Sequence, residues 1–183
     1  MLSQHSAAGR TAFHMQVRYQ MDLFAWAFVG GIVGAVLMDI TETYAAKIGI
    51  QSGVNVALIG RWTLGLLRGQ FTHTNILNSK PLPGEVKVGW GFHFLIGGGG
   101  VALAFPLFFF ITGLPMSINP LIGGMLFGLV TSLFPWFVLM PSFGWGVFGR
   151  RGPPSSNALL ASTLSHIPYG LGVGAAIAIG SMV

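Results

Sequence analysis

The absence of charged residues over two long stretches limits what this chain can fold into. No Asp, Glu, Lys or Arg occurs from Val88 through Gly149, and none occurs from Gly152 to the C-terminus. Both stretches exceed the ~20 apolar residues that cross a bilayer as a helix. Only 7% of the chain is charged, whereas soluble domains carry about a quarter charged residues. The chain is therefore predicted to be a membrane protein.

Four segments have the length and the apolar character of membrane-spanning helices. They cover residues 23–44, 90–112, 118–140 and 158–182. We therefore predict an all-α, polytopic membrane protein with four transmembrane helices. Residues 1–21 are predicted to form a polar, basic N-terminal tail, and residues 22–183 a single transmembrane domain.

Two longer loops, residues 45–89 and residues 141–157, are predicted on the same side of this domain. The first contains the apolar sequence VNVALIGRWTLGLLRGQF, which Arg61 and Arg68 interrupt. It is too short and too charged to span, so we predict an interfacial or re-entrant helix. The two loops hold seven of the nine Lys and Arg residues, which favours a cytoplasmic location for both, although a basic tail before the first helix favours the reverse.

The helices contain an internal repeat. His93 and His166 are each followed by glycines in the pattern HxxxGxG. Gly30 precedes Asp39 by nine residues in the first helix, and Gly123 precedes a serine by nine in the third. The repeat indicates two tandem helical hairpins related by a pseudo-twofold axis along the membrane normal. Chance is the alternative, because glycine is common in membrane helices.

Glycines at GxxxG spacing and in the run IGGGG mark where helices can approach closely. The alternative is that they leave a groove for a lipid or pigment. The glycines that we predict to pack helices together are Gly30, Gly34, Gly97, Gly124, Gly128, Gly170 and Gly174.

Ionisable residues gather toward the loop side of the predicted helices. Asp39, His93 and His166 lie inside helices, and Glu42 and His73 lie near the adjacent surface. Such side chains cost roughly 2.5–3.5 kcal/mol each in hydrocarbon, so they normally face the bundle interior and meet a partner. We predict that Asp39, His93 and His166 converge at one depth.

Two interpretations of this cluster involve a metal. In the first, His93 and His166 are axial ligands of a b-type haem between facing helices. In the second, Asp39 joins the histidines, with Glu42 or His73, in a divalent-metal site of nitrogen and oxygen ligands.

Two other interpretations need no metal. The cluster could exchange protons with the loop side or bind a quinone or another small molecule. In the purely structural alternative, each histidine hydrogen-bonds a neighbouring helix and Asp39 forms an ion pair with Arg61. Independently of the cluster, Glu85, beside a proline and a glycine, is predicted to be a solvated turn residue.

Composition and motifs disfavour several other classes of protein. The chain has no cysteine, which excludes disulfides, thiolate metal sites and iron–sulfur clusters. Its basic residues are scattered without a cluster, so no nucleic-acid partner is predicted. No phosphate-binding loop, HExxH or GxSxG sequence occurs, so no catalytic residue is predicted.

The chain contains an ordered set of short motifs: MD at 38–39, GRW at 60–62, GQFTHTNI at 69–76, GEVKVGWGFH at 84–93, MPSFGWG at 140–146 and SHIPYGLG at 165–172. Over about residues 25–175, this set resembles the bacterial membrane proteins grouped as domain of unknown function 2938. The resemblance implies a four-helix protein of the bacterial inner membrane but no activity. The positions that match its motifs are Asp39, Arg61, His73, Glu85, His93 and His166.

Two classes of function follow from these observations. In the first, the protein is a non-catalytic subunit or assembly factor of a larger membrane complex, docking other subunits or a second copy through its glycine-rich helix faces. In the second, it is a self-contained protein that binds haem, a metal ion or a proton-coupled small molecule. The small extramembrane mass favours the first class.

Overall fold

The computed structural model describes residues 2–114, 118–153 and 157–182, with side chains from residue 22 onward; part of the predicted loop 141–157 lies outside these residues. Within them all regular structure is helical, which confirms the all-α prediction. The helices are α1 Leu2–Lys47, α2 Val56–Leu66, α3 Glu85–Gly100, α4 Phe105–Thr112, α5 Pro120–Ser142 and α6 Ala158–Gly180. Short 3₁₀ turns lie in the two loops at Ile76–Asn78 and Val147–Gly149.

Two helical segments are long and apolar enough to cross a membrane: Asp22–Lys47 of α1, and α5. A third candidate is the pair formed by α3 and α4, which is bent by 44°. Helix α6 has 23 residues, but the Ser, Thr and His residues in its first half lower its hydropathy. Two to three candidate spans therefore support a membrane protein.

Glycine and proline account for the irregular helices. Helix α3 is π-helical over Phe92–Gly100, a stretch that ends in four glycines, and glycine stabilises a regular helix poorly. A proline stands in the first turn of α4, where a backbone N–H has no acceptor within the helix, so its missing N–H costs no hydrogen bond. Pro135 removes the helical donor to the carbonyl of Thr131, and α5 is π-helical over Pro135–Leu139.

Helix α6 lies between α1 and α5 and packs against both through glycines. A Cβ on Gly34 would overlap the carbonyl oxygen of Tyr169, and one on Gly124 would overlap that of Gly170. Because these neighbours are backbone atoms, a larger residue would push the helices apart. Similar close approaches occur at the other glycines predicted to pack these helices, Gly30, Gly128 and Gly174.

Gly97 differs from the other predicted packing glycines. A Cβ there would meet only the carbonyl oxygen of Phe92, 3.6 Å away in the same helix, whereas Gly98 approaches Gly31 of α1 and Gly99 approaches a ring of α1. The prediction that Gly97 packs against another helix is therefore wrong. In a run of four glycines, the rotation of the helix about its axis decides which of them face a neighbour, and Gly97 lines a cavity instead.

The described helices lack the twofold symmetry that tandem hairpins would give. In a symmetric arrangement, α3 would pack on α5 as α6 packs on α1. Within the described residues α3 and α5 do not pack closely. The space between them forms part of a cavity at the loop end. At the opposite end, rings of Phe105 and Phe108 from α4 meet the ring of Phe127 from α5.

Arg61 forms an ion pair with Glu85, so the predicted pair between Arg61 and Asp39 is not formed. The Nε and Nη2 atoms of Arg61 each donate to a Glu85 carboxylate oxygen over 2.9 Å. The physical reason is the packing of α2 on the first turns of α3, where Gly60 and Gly89 let the two backbones approach. Glu85 is thereby buried, and the prediction of a solvated turn residue is also wrong.

The two loops form one folded layer at the end of the bundle where α1 and α5 finish. The backbone N–H of Ile76 donates to the carbonyl of Phe143 over 2.9 Å. The indole N–H of Trp145 donates to the side-chain oxygen of Asn75 over 3.3 Å. Ile76, Phe143 and Trp145 are fully buried, so this layer has an apolar core of its own.

Candidate functional site

A cavity of about 160 Å³ lies between α1, α3, α5 and α6, and residues 52–59, which lead into α2, line it at the loop end. It is mainly apolar, with a limited set of polar side chains from every surrounding element. No Lys or Arg lines it among the residues that the structure describes. The polar lining residues are Asp39, Glu42, Ser52, Asn55, His93, Thr131, Ser162, His166 and Tyr169.

Asp39 and His93 meet at the edge of this cavity. The Oδ1 atom of Asp39 lies 2.9 Å from Nε2 of His93. The two atoms are close enough for an ion pair, but their directions do not give an aligned hydrogen bond, and Nε2 has no other partner in the described structure. Nε2 of His93 therefore keeps an unused hydrogen-bonding direction.

His166 is oriented by its own helix. Its Nδ1 atom lies 2.7 Å from the carbonyl oxygen of Ser162. A carbonyl can only accept, so Nδ1 carries the proton and donates. In the neutral ring Nε2 is then the acceptor. Nearby, the hydroxyl of Tyr169 donates to the carbonyl of Gly98 over 2.8 Å and joins α6 to α3.

Glu42 adds a second carboxyl group to the cavity. It follows Asp39 by three residues, a spacing that places both side chains on one side of a helix. Its carboxyl reaches the side chain of Ser165 on α6 and interacts electrostatically with Asp39 and His93. Two carboxyl groups and two imidazoles thus line one cavity, and the predicted convergence of Asp39, His93 and His166 is present in the structure.

Two buried polar atoms at the cavity lack a hydrogen-bond partner within the described part of the chain: Oγ of Ser162 and Nε2 of His93. Buried polar groups are almost always hydrogen-bonded, to protein or to an ordered molecule. At about 30 Å³ per molecule, the cavity could hold about five waters, or one solute of similar volume. The lining is thus suited to a small molecule that forms hydrogen bonds.

The cavity does not fit a haem. Its volume is close to that of a cavity that holds benzene, about 150 Å³, and it is smaller than the roughly 300 Å³ at which pockets for larger ligands begin. A macrocycle between His93 and His166 needs more space. Nor does any group of three or more His, Asp or Glu side chains among the described residues have the arrangement of a metal site.

His73 lies apart from the cavity, in the loop layer, so it does not belong to the cluster in which it was predicted. Its Nδ1 atom lies 3.0 Å from Oγ of Ser79 and 3.2 Å from Nε2 of Gln70. Burial, and then the charge of Arg61, lower the pKa of His73. The hydrogen bonds to Glu85 raise the pKa of Arg61, so the guanidinium stays charged beside a neutral imidazole.

Sequence reasoning missed one side chain at the cavity, Ser162, and the ion-pair role of Glu85. Ser162 stands four residues before His166, and this spacing alone places both on one side of a helix. Glu85 is the only acidic residue after Glu42. A lone carboxylate among basic loop residues was a signal for its pairing with Arg61.

The model of a protein family described as "Protein of unknown function (DUF2938)" matches residues 28–179. This range is most of the chain. The chain belongs to the DUF2938 family. The cavity-lining residues and the Arg61–Glu85 pair all lie inside the DUF2938 match. No curated protein and no solved structure matches the chain.

Proposed function

We propose that this DUF2938 protein binds a small, hydrogen-bonding solute inside its helical bundle, and that Asp39 and His93 exchange a proton as the solute binds. The observation that carries this proposal is the cavity of about 160 Å³ at which Oγ of Ser162 and Nε2 of His93 are buried without a hydrogen-bond partner among the described residues. A bound molecule that donates a hydrogen bond to one of these atoms and accepts a hydrogen bond from the other would remove the free-energy cost of burying them unpaired.

The charges around the cavity narrow the class of solute. Asp39 and Glu42 contribute carboxyl groups, and no Lys or Arg among the described residues lines the cavity to balance an anion. A neutral or positively charged solute is therefore favoured over an anion. The adjacent carboxyl and imidazole of Asp39 and His93 are groups that can pass a proton between them.

We further propose that the chain crosses the bilayer four times, with α1, the α3–α4 pair, α5 and α6 as spans. Helix α6 lies between two candidate spans and packs closely against both, so it would share their depth. Its lower hydropathy is compatible with a central position, because its polar side chains line the cavity. In a bacterial inner membrane, the basic loops would lie in the cytoplasm.

A role as subunit or assembly factor was expected because of the small extramembrane mass, with the glycine-rich helix faces as the docking surfaces. Gly34, Gly124, Gly128, Gly170 and Gly174 instead face other helices of the same chain. These glycines therefore pack helices within the protein, which gives the docking role less support than the cavity gives to a binding role. A self-contained binding function is for this reason the preferred proposal.

Two buried serines provide a matched test. Among the described residues, neither Ser162 nor Ser132 has a hydrogen-bond partner for its Oγ atom, but of the two only Ser162 lines the cavity. Thermal unfolding of the purified protein would be followed with imidazole, aniline or phenol as the probe. We expect at least one probe to raise the melting temperature, as binding to the folded state requires. Ser162→Ala should weaken that effect about 5- to 10-fold, the loss of one hydrogen bond of about 1 kcal/mol, while Ser132→Ala should not.

The role of Asp39 requires a second comparison. We expect Asp39→Asn to weaken the stabilisation by the active probe, because the amide cannot exchange a proton with His93. Asp22→Asn is the control, because it removes an equal charge from an exposed position in the same helix. If no probe stabilises the protein, or if the two serine variants behave alike, the proposed function is wrong.

A further inference from the structure

A second depression shares Asp39 with the cavity. It is a surface groove of about 620 Å³ between α1 and the start of α3. Its floor and walls include Val36 and Ile40 of α1 and Trp90 and Phe94 of α3, and Lys47 lies at its loop end. The groove is mainly apolar and faces outward, where the lipid of a membrane would be.

An ordered aromatic wall leads from this groove to the cavity. The rings of Trp90 and Phe94 are stacked, with centroids 5.5 Å apart and an interplanar angle of 10°. The imidazole of His93 contacts both rings edge-on, at 6.0 Å and 5.0 Å. Because Asp39 lines both the groove and the cavity, the Asp39–His93 contact stands at the boundary between an apolar path and a polar chamber.

We propose that the groove and the cavity together bind one amphiphile of the benzoquinone or benzoquinol class, with its ring in the cavity and its apolar tail in the groove. This inference rests on the proposed function and names its ligand class. The cavity, at about 160 Å³, is close in volume to a cavity that holds one benzene ring, about 150 Å³. A small solute that arrives only from water would make no use of an apolar groove.

The polar atoms at the cavity suit both oxidation states of such a ring. A quinone oxygen accepts hydrogen bonds, and a quinol hydroxyl donates them. The hydroxyl of Ser162 can do either, and Nε2 of His93 has no aligned hydrogen bond within the described residues. In the neutral form of His166, Nε2 accepts, because Nδ1 already donates to a carbonyl.

A phospholipid fits these positions less well. Its phosphate would meet the carboxyl groups of Asp39 and Glu42 in the cavity. If the phosphate instead lay at Lys47, it would be about 12 Å along the helix from Asp39, at 1.5 Å per residue. No ring would then occupy the cavity, and the lipid would form no hydrogen bond with the polar atoms that line it.

The test uses the full chain in nanodiscs of phosphatidylcholine, with decyl-benzoquinone as the probe and decanol as the tail without a ring. Two exposed residues of α1 provide matched variants: Ile40 is 48% exposed and lines the groove, whereas Val33 is 47% exposed and does not. We expect thermal stabilisation by decyl-benzoquinone to exceed that by decanol. Ile40→Trp should weaken the quinone effect about 10-fold by filling the groove, about 1.4 kcal/mol, and Val33→Trp should leave it unchanged.

Each alternative has a distinct result. The test of the proposed function identifies an active probe without a tail, which is imidazole, aniline or phenol. Ile40→Trp should not change the thermal stabilisation by that probe. If that probe binds and decyl-benzoquinone does not, the proposed function stands and the quinone inference is overturned. Equal stabilisation by decanol and decyl-benzoquinone would identify a lipid site and overturn the quinone inference. Competition by added phosphatidylglycerol, without any effect of Ser162→Ala, would have the same meaning. If neither probe binds, both proposals fail.

Discussion

Replacing Gly170 with alanine should separate α5 from α6. A Cβ on Gly170 would lie 2.8 Å from the carbonyl carbon of Gly124 and 2.9 Å from Cα of Gly128, and closer still to the Gly124 oxygen. Ordinary van der Waals contact begins at 3.4 Å. The carbonyl carbon alone requires α5 to retreat by about 0.6 Å, and the closer oxygen requires more. No rotamer change can relieve the overlap, because the neighbours are backbone atoms. A gap of about 0.5–1 Å loses roughly a quarter to a half of each dispersion contact.

The expected free-energy cost of Gly170→Ala is about 2–3 kcal/mol, the upper part of the range for overpacked interiors. The assay is thermal unfolding in detergent, followed by circular dichroism, in which the melting temperature should fall. The matched control is Gly91→Ala, at a helical glycine with φ of −59° where a Cβ would meet nothing within 4 Å. There, alanine should stabilise by about 0.5–1 kcal/mol through backbone entropy. If Gly170→Ala melts at or above the wild-type temperature, the close packing of α5 and α6 is refuted.

Three further predictions concern the loop layer and the cavity. Glu85→Ala should lower the melting temperature and expose the first loop to protease, because the covered guanidinium of Arg61 loses its charged partner at a cost of about 2–3 kcal/mol. Burial and the charge of Arg61 lower the pKa of His73 in the folded protein, so the unfolded chain binds a proton at His73 more readily than the folded one. The free energy of unfolding and the protease resistance should therefore fall as the pH falls below the pKa of His73 in the unfolded chain, about 6.5. Gly97→Ala should leave the melting temperature nearly unchanged, because its Cβ meets only one atom at 3.6 Å, but it should weaken probe binding by filling part of the cavity.

The controls for these predictions are also single substitutions. Lys87→Ala removes an exposed charge of α3 and should not open the first loop; equal protease sensitivity in Glu85→Ala and Lys87→Ala would contradict the importance of the pair. His73→Gln does not titrate and should flatten the pH dependence, so an unchanged pH profile in that variant would show that another group is responsible. A large drop in melting temperature for Gly97→Ala would show that Gly97 packs against a neighbour after all.

The positions of α5 and α6 were predictable because they depend on local sequence. The segments predicted at 118–140 and 158–182 differ by only a few residues from α5, Pro120–Ser142, and α6, Ala158–Gly180. Glycine and proline locate the irregularities, since they act on the backbone where they stand. The convergence of Asp39, His93 and His166 was predictable for a similar reason, because burial of isolated ionisable groups in an apolar interior is costly.

The sequence alone determined that this is a helical protein rich in membrane-compatible segments, because the cost of placing charge in hydrocarbon is set residue by residue along each segment. Only the tertiary structure decided that Arg61 pairs with Glu85, that Gly97 lines a cavity while Gly98 packs on Gly31, and that Ser162 lines the same cavity as His93. These outcomes depend on how one helix is rotated and placed against another. That placement is set by backbone contacts between residues far apart in the chain, which no local pattern records.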